Sequence, residues 1–201
     1  ICSSGCYYAS LGAAMHETTG APSGSILELQ EDISEDLSFD NYSHTFTITS
    51  DSTTRTWTNS SGRNVNFTNS GGYNLTFQNL IIENTGGSEI FYMNQSGTIN
   101  FEDCVIKNTT GSGKLITMQN GGKFNVYRSE LIGNSSTSIG IEMQSGVNTD
   151  EAIYMENTIV RDIGGKALDC NQTKTTNMMV IYNSTFVGNG IAYESSSRGV
   201  I

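Results

Sequence analysis

The chain has 201 residues and a formal net charge of −10, from 20 acidic and 10 basic side chains. This length suits one domain with a sizeable core. The acidic balance excludes a nucleic-acid surface and a polybasic lipid-docking surface, because both need clustered Lys and Arg. No apolar run approaches the roughly 18 residues of a membrane span.

Charged residues make up only 15% of the chain, and there is a single proline. Disordered chains are usually rich in charge or proline, whereas here Asn, Ser, Thr and Gly take the place of charged residues. This composition predicts a folded β protein with a polar, weakly charged surface. The chain begins at Ile1 without an initiator Met, and we interpret it as a mature or trimmed exported chain.

The N-terminal segment predicts a cap over the end of a larger β structure. Residues 9–18 place their apolar side chains on one face, which predicts a short amphipathic helix. Cys2 and Cys6 precede it in the segment CSSGC, close enough for a disulfide across a tight turn. Free thiols and a zinc site with His16 are the alternatives, although the zinc site lacks a fourth ligand.

Alternating stretches at 25–33 and 44–50 predict the first strands, and less regular coils follow to Phe67.

From residue 75 a block of about ten residues recurs and ends in Asn or Asp. Its first, third and eighth positions are apolar and are predicted to face the interior. The copies are LTFQNLIIEN (75–84), INFEDCVIKN (99–108), FNVYRSELIGN (124–134), IYMENTIVRD (153–162) and VIYNSTFVGN (180–189).

A second block recurs between these copies at nearly the same period. It contains Met93, Met118 and Met143, each 25 residues apart, and Cys170 takes the next place. Neither block contains a helical stretch. Two registers with a common period therefore predict an all-β parallel β-helix with about 24–28 residues per coil.

Equivalent residues of successive coils stack at about 4.8 Å in such a fold and form ladders. The three methionines are predicted to form a core ladder, because Met fills irregular interiors well. Cys104 is predicted to be a buried thiol, and its pairing with Cys170 is disfavoured. The residues that end the blocks are predicted to form a structural ladder that bonds the turn backbone, comprising Asn84, Asn108, Asn134, Asp162 and Asn189.

Two features resemble the right-handed parallel β-helix proteins of the pectin-lyase-like superfamily. They are the block apolar-x-apolar-x-Asn-x-apolar-apolar-x-Asn and the opening C-x3-C-Y-x2-SLGAA followed by SILEL. The resemblance implies a right-handed solenoid (repeat) fold with an N-terminal capping helix, in an exported, adhesin-like surface protein. It specifies the fold better than the function, because this fold hosts lyases, hydrolases, adhesins and tailspikes.

The same resemblance makes a polysaccharide lyase or glycoside hydrolase the alternative function. The GHG and RIK tripeptides of polygalacturonase-like hydrolases do not occur in the sequence, and no basic residue is paired with an Asp cluster in a lyase motif. Acidic pairs such as Glu102/Asp103 and Asp150/Glu151 are candidates. Adjacent residues on a strand point to opposite faces, however, which favours a solvated surface.

No cofactor is expected; besides the zinc alternative above, the sequence leaves calcium open, because calcium accepts irregular oxygen ligands. A cluster of acidic residues suggests a calcium site, although its spacing matches no recognisable calcium loop. The cluster comprises Glu31, Asp32, Glu35, Asp36 and Asp40.

N-x-S/T sequons give candidate N-glycosylation sites at Asn41, Asn59, Asn66, Asn74, Asn94, Asn171 and Asn183.

The leading hypothesis is a single non-catalytic β-helix domain that works outside the cell or on its surface. Residues 1–24 form the N-terminal cap, 25–70 the irregular first coils and 71–201 the regular coils. Its expected partners are cell-surface carbohydrate, or further copies of the chain that dock end to end into a filament. Neither nucleic acid nor membrane insertion of this segment is expected.

Overall fold

The structure is a computed structural model, and it describes most of the chain. The described residues are 1, 5–16, 18–39, 44–59, 65–67, 72–86, 89–94, 96–110, 112–144, 146–147, 149–171 and 179–195.

Short strands coil into a parallel β-solenoid, which confirms the predicted β-helix fold class. In chain order the strands are β1 Ile26–Leu29, β2 Ile33–Ser34, β3 Leu37–Phe39, β4 Thr45–Ser50, β5 Arg55–Asn59, β6 Val65–Phe67, β7 Tyr73–Gln78, β8 Leu80–Asn84, β9 Phe91–Met93, β10 Gly97–Glu102, β11 Val105–Asn108, β12 Lys114–Met118, β13 Lys123–Tyr127, β14 Glu130–Ile132, β15 Ile139–Met143, β16 Ile153–Glu156, β17 Ile159–Arg161, β18 Lys166–Cys170, β19 Met179–Tyr182, β20 Thr185–Val187 and β21 Ile191–Ser195.

Each coil contributes one strand to each of three parallel sheets. Coil 1 comprises β1 to β3, and each following triplet forms the next coil, up to coil 7 with β19 to β21. Sheet A begins with β1 and β4, sheet B with β2 and β5, and sheet C with β3 and β6. The less regular first coils, between residues 25 and 70, therefore contribute strands to the same three sheets as the regular ones.

Alternating apolar residues on the inner strand faces fill the solenoid with one continuous core. At its centre lies an aromatic stack whose neighbouring ring centroids are 5.0–6.4 Å apart. These rings come from sheets A, B and C together, so the stack joins all three walls of the solenoid. The stack comprises Trp57, Phe77, Phe91, Phe101 and Phe124.

Each repeated block contains two strands, one in sheet A and one in sheet B, separated by a turn of one or two residues that includes one left-handed residue. Asn and Asp adopt this backbone conformation more readily than other non-glycine residues. The backbone of the turn stays in the ladder between coils: the N–H of Asn79, for example, donates to the carbonyl of Glu102 at 3.0 Å. The turn residues have φ of 44–55° and are Asn79, Asp103, Arg128, Asn157 and Asn183.

The cap helix α1 spans Leu11–Ala14 and is shorter than the 9–18 predicted. Its first two N–H groups donate to the carboxylate of Glu35, at 2.8 Å each, which fixes its start. The chain then turns back, because the carbonyl of Ala14 accepts from the N–H of Ala21 at 2.7 Å. In the described part of the chain, no helix is long and apolar enough to cross a membrane.

Candidate functional site

The predicted Asn ladder starts one coil earlier than the sequence indicated. Asn84 and Asn108 are buried neighbours in adjacent coils, and Asn59 precedes them in the same row. Asn59 is fully buried. This burial disfavours Asn59 as a glycan acceptor in the folded chain, and its glycosylation stays a prediction.

Asn134 lies one position beyond this row. Lys107 pairs with Ile132, so Gly133 stands level with Asn108. The side chain of Asn134 still joins its turn to the neighbouring coil: Nδ2 donates to the Asn108 carbonyl at 3.0 Å, and Oδ1 accepts from N–H groups of the turn. The extra residue of this copy therefore lies at its end, where the amide reaches back by one position.

The last block is displaced in the same way. Ile153 pairs with Met179, one residue before the predicted start at Val180. The left-handed turn at Asn183 fixes this register, because it stacks on the equivalent turn of the coil before. Tyr182, which the repeat assigned to the interior, therefore faces outward and is 58% exposed.

Asp162 and Asn189 are consequently one position apart along their coils. Asp162 is exposed, has a φ of 59° and accepts a hydrogen bond from Arg161 at 2.6 Å. Asn189 keeps the predicted structural role: its Nδ2 donates to the Val160 carbonyl and its Oδ1 accepts from the Ile163 N–H, both at 3.0 Å.

The Met ladder runs through sheet C as one row of the core. Met93, Met118 and Met143 pair in consecutive coils, and Cys170 pairs next with Met143. All four side chains are buried. They pack among apolar neighbours and offer no accessible group to a ligand.

The cysteines divide into a buried group and an N-terminal group. Cys104 and Cys170 are buried and are not bonded to each other. Cys2 lies outside the described residues, so the predicted Cys2–Cys6 disulfide and the alternative zinc site both stay predictions.

Cys104 is expected to resist alkylation in the folded chain. Burial raises the pKa of its thiol to about 12, and Sγ donates to the carbonyls of Phe77 and Glu102 at 3.3 Å each. Relative to an ordinary thiol, this leaves roughly 1000-fold less thiolate at pH 8. Mass spectrometry of the Cys104 peptide, with and without denaturant, measures the two rates. Similar rates would contradict the burial.

Members of the acidic cluster bind backbone groups of the first coils. Glu35 accepts from the helix α1 N–H groups, and Asp32 accepts from the Thr56 N–H at 2.8 Å. Asp40 lies outside the described residues. Within the ranges given above, no three His, Cys, Asp or Glu side chains are placed to hold a metal ion.

The remaining sequons differ in accessibility. Asn74 and Asn183 are exposed, and Asn94 and Asn171 are half-buried. The side chains of Asn41 and Asn66 lie outside the description. Glycosylation of any of these positions stays a prediction.

The two acidic pairs singled out in the sequence are not paired carboxylates. Glu102 lies on the outer face of sheet A, whereas Asp103 forms the following left-handed turn. Arg128 donates to both oxygens of Asp103 at 2.9 Å, and these hydrogen bonds lower the pKa of that carboxyl. Asp150 and Glu151 are exposed in a turn.

The outer face of sheet A brings Glu102 together with three side chains that were not candidates from the sequence. Glu102, Tyr127 and Glu156 are paired neighbours in coils 4, 5 and 6. Tyr154 lies two residues before Glu156 on the same face. We name these four side chains the tyrosine–carboxylate patch. In the sequence these side chains occupy outward positions of the blocks, which show no recurring chemistry that would have revealed the patch.

Within this patch the phenols are held beside carboxylates. The rings of Tyr127 and Tyr154 have centroids 5.4 Å apart at 40°, and Tyr154 Oη donates to Glu156 Oε2 at 3.0 Å. That hydrogen bond raises the pKa of Tyr154, and burial together with the nearby Glu102 and Glu156 raises that of Tyr127. Both phenols therefore stay neutral at neutral pH, beside carboxylates that accept hydrogen bonds.

A second polar row, on sheet C, is largely buried. Glu142 and Asp169 pair in adjacent coils and are 7% and 5% exposed. Lys114 donates to Glu142 at 2.6 Å and Lys166 donates to Asp169 at 2.9 Å. Hydrogen bonds to Asp169 and Glu194 raise the pKa of Lys166. Each buried carboxylate thus has the cationic partner that burial of charge requires.

Comparison with known protein families, curated proteins and solved structures finds no match to this chain. The assignment to a parallel β-solenoid therefore depends on the strand pairing described above. The function has to be argued from the exposed surfaces of the solenoid.

Proposed function

We propose that this chain is a non-catalytic, extracellular structural subunit whose solenoids dock end to end into a filament. The observation that carries the proposal is the position of its exposed apolar side chains. Among the described residues, the large apolar side chains that are exposed occur only towards the two ends of the solenoid. They are Tyr7 and Ile26 at the first coil, and Ile159, Tyr182, Val187 and Ile191 in coils 6 and 7.

The last described coil leaves part of the core accessible. Its inward-facing side chains Ile181, Phe186 and Tyr193 are only partly buried, whereas their equivalents in the middle coils are fully buried. Strands β19, β20 and β21 each pair with one described strand, so within the described residues each is the edge strand of its sheet. Such an edge favours pairing with another chain.

The first coil presents a different surface. Ile1 extends sheet A in parallel: its backbone nitrogen donates to the Glu28 carbonyl at 2.5 Å, and its carbonyl accepts from the Gln30 N–H at 3.0 Å. Beside it lies an open groove of about 590 Å³ lined in part by Tyr7 and Ile26. Since the two ends differ, contact between them is heterologous, and a heterologous contact that does not close propagates into a filament.

The same proposal assigns the chain, more broadly, to adhesin-like proteins of the pectin-lyase-like superfamily that work outside the cell or on its surface. Its support is the repeated block, the parallel solenoid and the cap over the first coil. The exposed sequons Asn74 and Asn183 and the weakly charged polar wall are consistent with an exported protein.

Light scattering and electron microscopy of the purified chain test end-to-end docking. We expect particles heavier than the 21.7 kDa chain that grow with concentration. Val187→Lys is expected to leave a monodisperse monomer, because it places a charge in the proposed contact. Its matched control is Ile132→Lys, in the same outer row of sheet B two coils earlier, which is expected to polymerise.

Two results would overturn this proposal. One is a monodisperse monomer of the unsubstituted chain at every concentration, which would leave a single adhesin module as the better assignment. The other is an equal loss of polymer in both lysine variants, which would place the contact along the wall and not at its end.

A further inference from the structure

The four side chains of the tyrosine–carboxylate patch lie in coils 4, 5 and 6, and none of them belongs to the exposed apolar set at the two ends. Its two rings are tilted by 40° and stand next to each other across adjacent coils. A third ring, Tyr182, continues the series in coil 7, with its centroid 6.0 Å from that of Tyr154. The patch is therefore a strip of aromatic surface that runs along the solenoid.

Carboxylates stand on both sides of the first ring. Glu102 and Glu156 are the cross-coil neighbours of Tyr127 on either side. Glu102 Oε2 accepts from Gln78 Nε2 at 2.9 Å, and Glu156 Oε2 accepts from the Tyr154 hydroxyl. Within the part of the chain that the structure describes, no donor contacts the two Oε1 oxygens, which leaves them available to a ligand.

The charge of this strip is negative. Arg128 is the described cation that pairs with Glu102, with Nη2 3.9 Å from Oε2, but both carboxylate oxygens of Asp103 also accept from its guanidinium. No described cation is paired with Glu156. Tyrosine rings attract cations through their faces, and carboxylates pair with them directly. The strip therefore favours a cationic ligand and repels a uronate.

The shape of the strip suits a linear chain of rings. Successive coils repeat at about 4.8 Å, which is comparable to the length of one sugar unit. A sugar ring offers an apolar face to a tyrosine and hydroxyl groups to carboxylate and amide acceptors. From this combination we infer that the tyrosine–carboxylate patch binds cationic amino-sugar oligosaccharides.

Calorimetric titration of the full chain with a β-1,4-linked glucosamine hexamer tests this inference. A pH of about 5.5 lies below the ordinary pKa of an amine, so the sugar amines are protonated. We expect Glu156→Gln and Tyr154→Ala each to weaken binding at least tenfold. The charge-matched control is Glu83→Gln, on the outer face of sheet B, which is expected to bind as the unsubstituted chain does.

The comparison ligands decide which part of the inference holds. Weak binding of the N-acetylated hexamer and of a galacturonic acid hexamer is expected, because neither carries ammonium groups. Equal affinity for the N-acetylated hexamer would overturn the requirement for charge. Equal affinity for hexalysine would overturn the inference in favour of a basic peptide surface.

Tyr154→Phe shows whether a loss of binding comes from the lost aromatic ring or from a loss of folding. It keeps the ring and is expected to retain more affinity than Tyr154→Ala, with an unchanged melting temperature. If both variants fold and lose binding equally, the ring of Tyr154 does not contact the sugar and the inference fails.

Discussion

Truncation of Phe91 to alanine is expected to lower the free energy of unfolding by about 3–5 kcal/mol. Phe91 is fully buried at the centre of the aromatic stack, with its ring centroid 5.0 Å from that of Phe101 and 5.7 Å from that of Phe77. The cavity would lie between all three sheets, where the surrounding coils are tied by backbone ladders and cannot collapse into it.

Urea denaturation measures this loss, and thermal unfolding should show a melting temperature lowered by roughly 10 °C. Tyr92→Ala is the matched control, since Tyr92 is the next residue on the same strand and points to the opposite face. It is expected to cost less than about 1 kcal/mol. A similar cost for both variants would mean that the aromatic stack contributes no more than the outer wall.

The interior of the solenoid could be predicted from the sequence because interior positions repeat. Met93, Met118 and Met143 recur at intervals of 25, and the structure places each directly on the next. Inward-facing residues must all meet the same requirement for apolar packing. Their chemistry therefore recurs with each coil, and the recurrence is visible in a single sequence.

The register of the Asn ladder was less predictable because an amide side chain can reach one position along the coil. Asn134 and Asn189 each follow a glycine, and each bonds backbone groups from one position beyond the expected one. The stacked left-handed turns fix the register instead. Alignment of the blocks on those turns, at Asn157 and Asn183, would have placed Tyr182 outside.

The tyrosine–carboxylate patch could not be predicted, because outward positions have no common packing requirement. The fourth block position is Gln78, Glu102, Tyr127 and Glu156 in four successive coils. Such a series has no recurring chemistry, so it carries no periodic signal. Only the pairing of the strands shows that these side chains are neighbours.

Replacement of Gly165 by alanine is expected to destabilise the chain by about 3 kcal/mol or more, because the coil before it leaves no room for a methyl group. A Cβ at Gly165 would lie 1.9 Å from the carbonyl oxygen of Ser138. The N–H of Gly165 donates to the carbonyl of Thr137, and its own carbonyl accepts from the N–H of Ile191, both at 2.9 Å. Coils 5, 6 and 7 are thus tied together at this residue, and relief of the clash would break backbone hydrogen bonds.

The control for this substitution is Gly72→Ala, in an exposed position where an added Cβ has no heavy atom within 4 Å. It is expected to change the free energy of unfolding by less than about 0.5 kcal/mol. Urea denaturation of the two variants side by side gives the difference between their free energies of unfolding. A small effect at Gly165 would show that neighbouring coils can separate locally without cost. In that case the sheet edges of the last described coil would also separate easily, and a rigid end-to-end contact would lose its physical basis. A large effect at Gly165 alone would show that close backbone contact between coils, which the repeat period cannot reveal, sets the spacing of the solenoid.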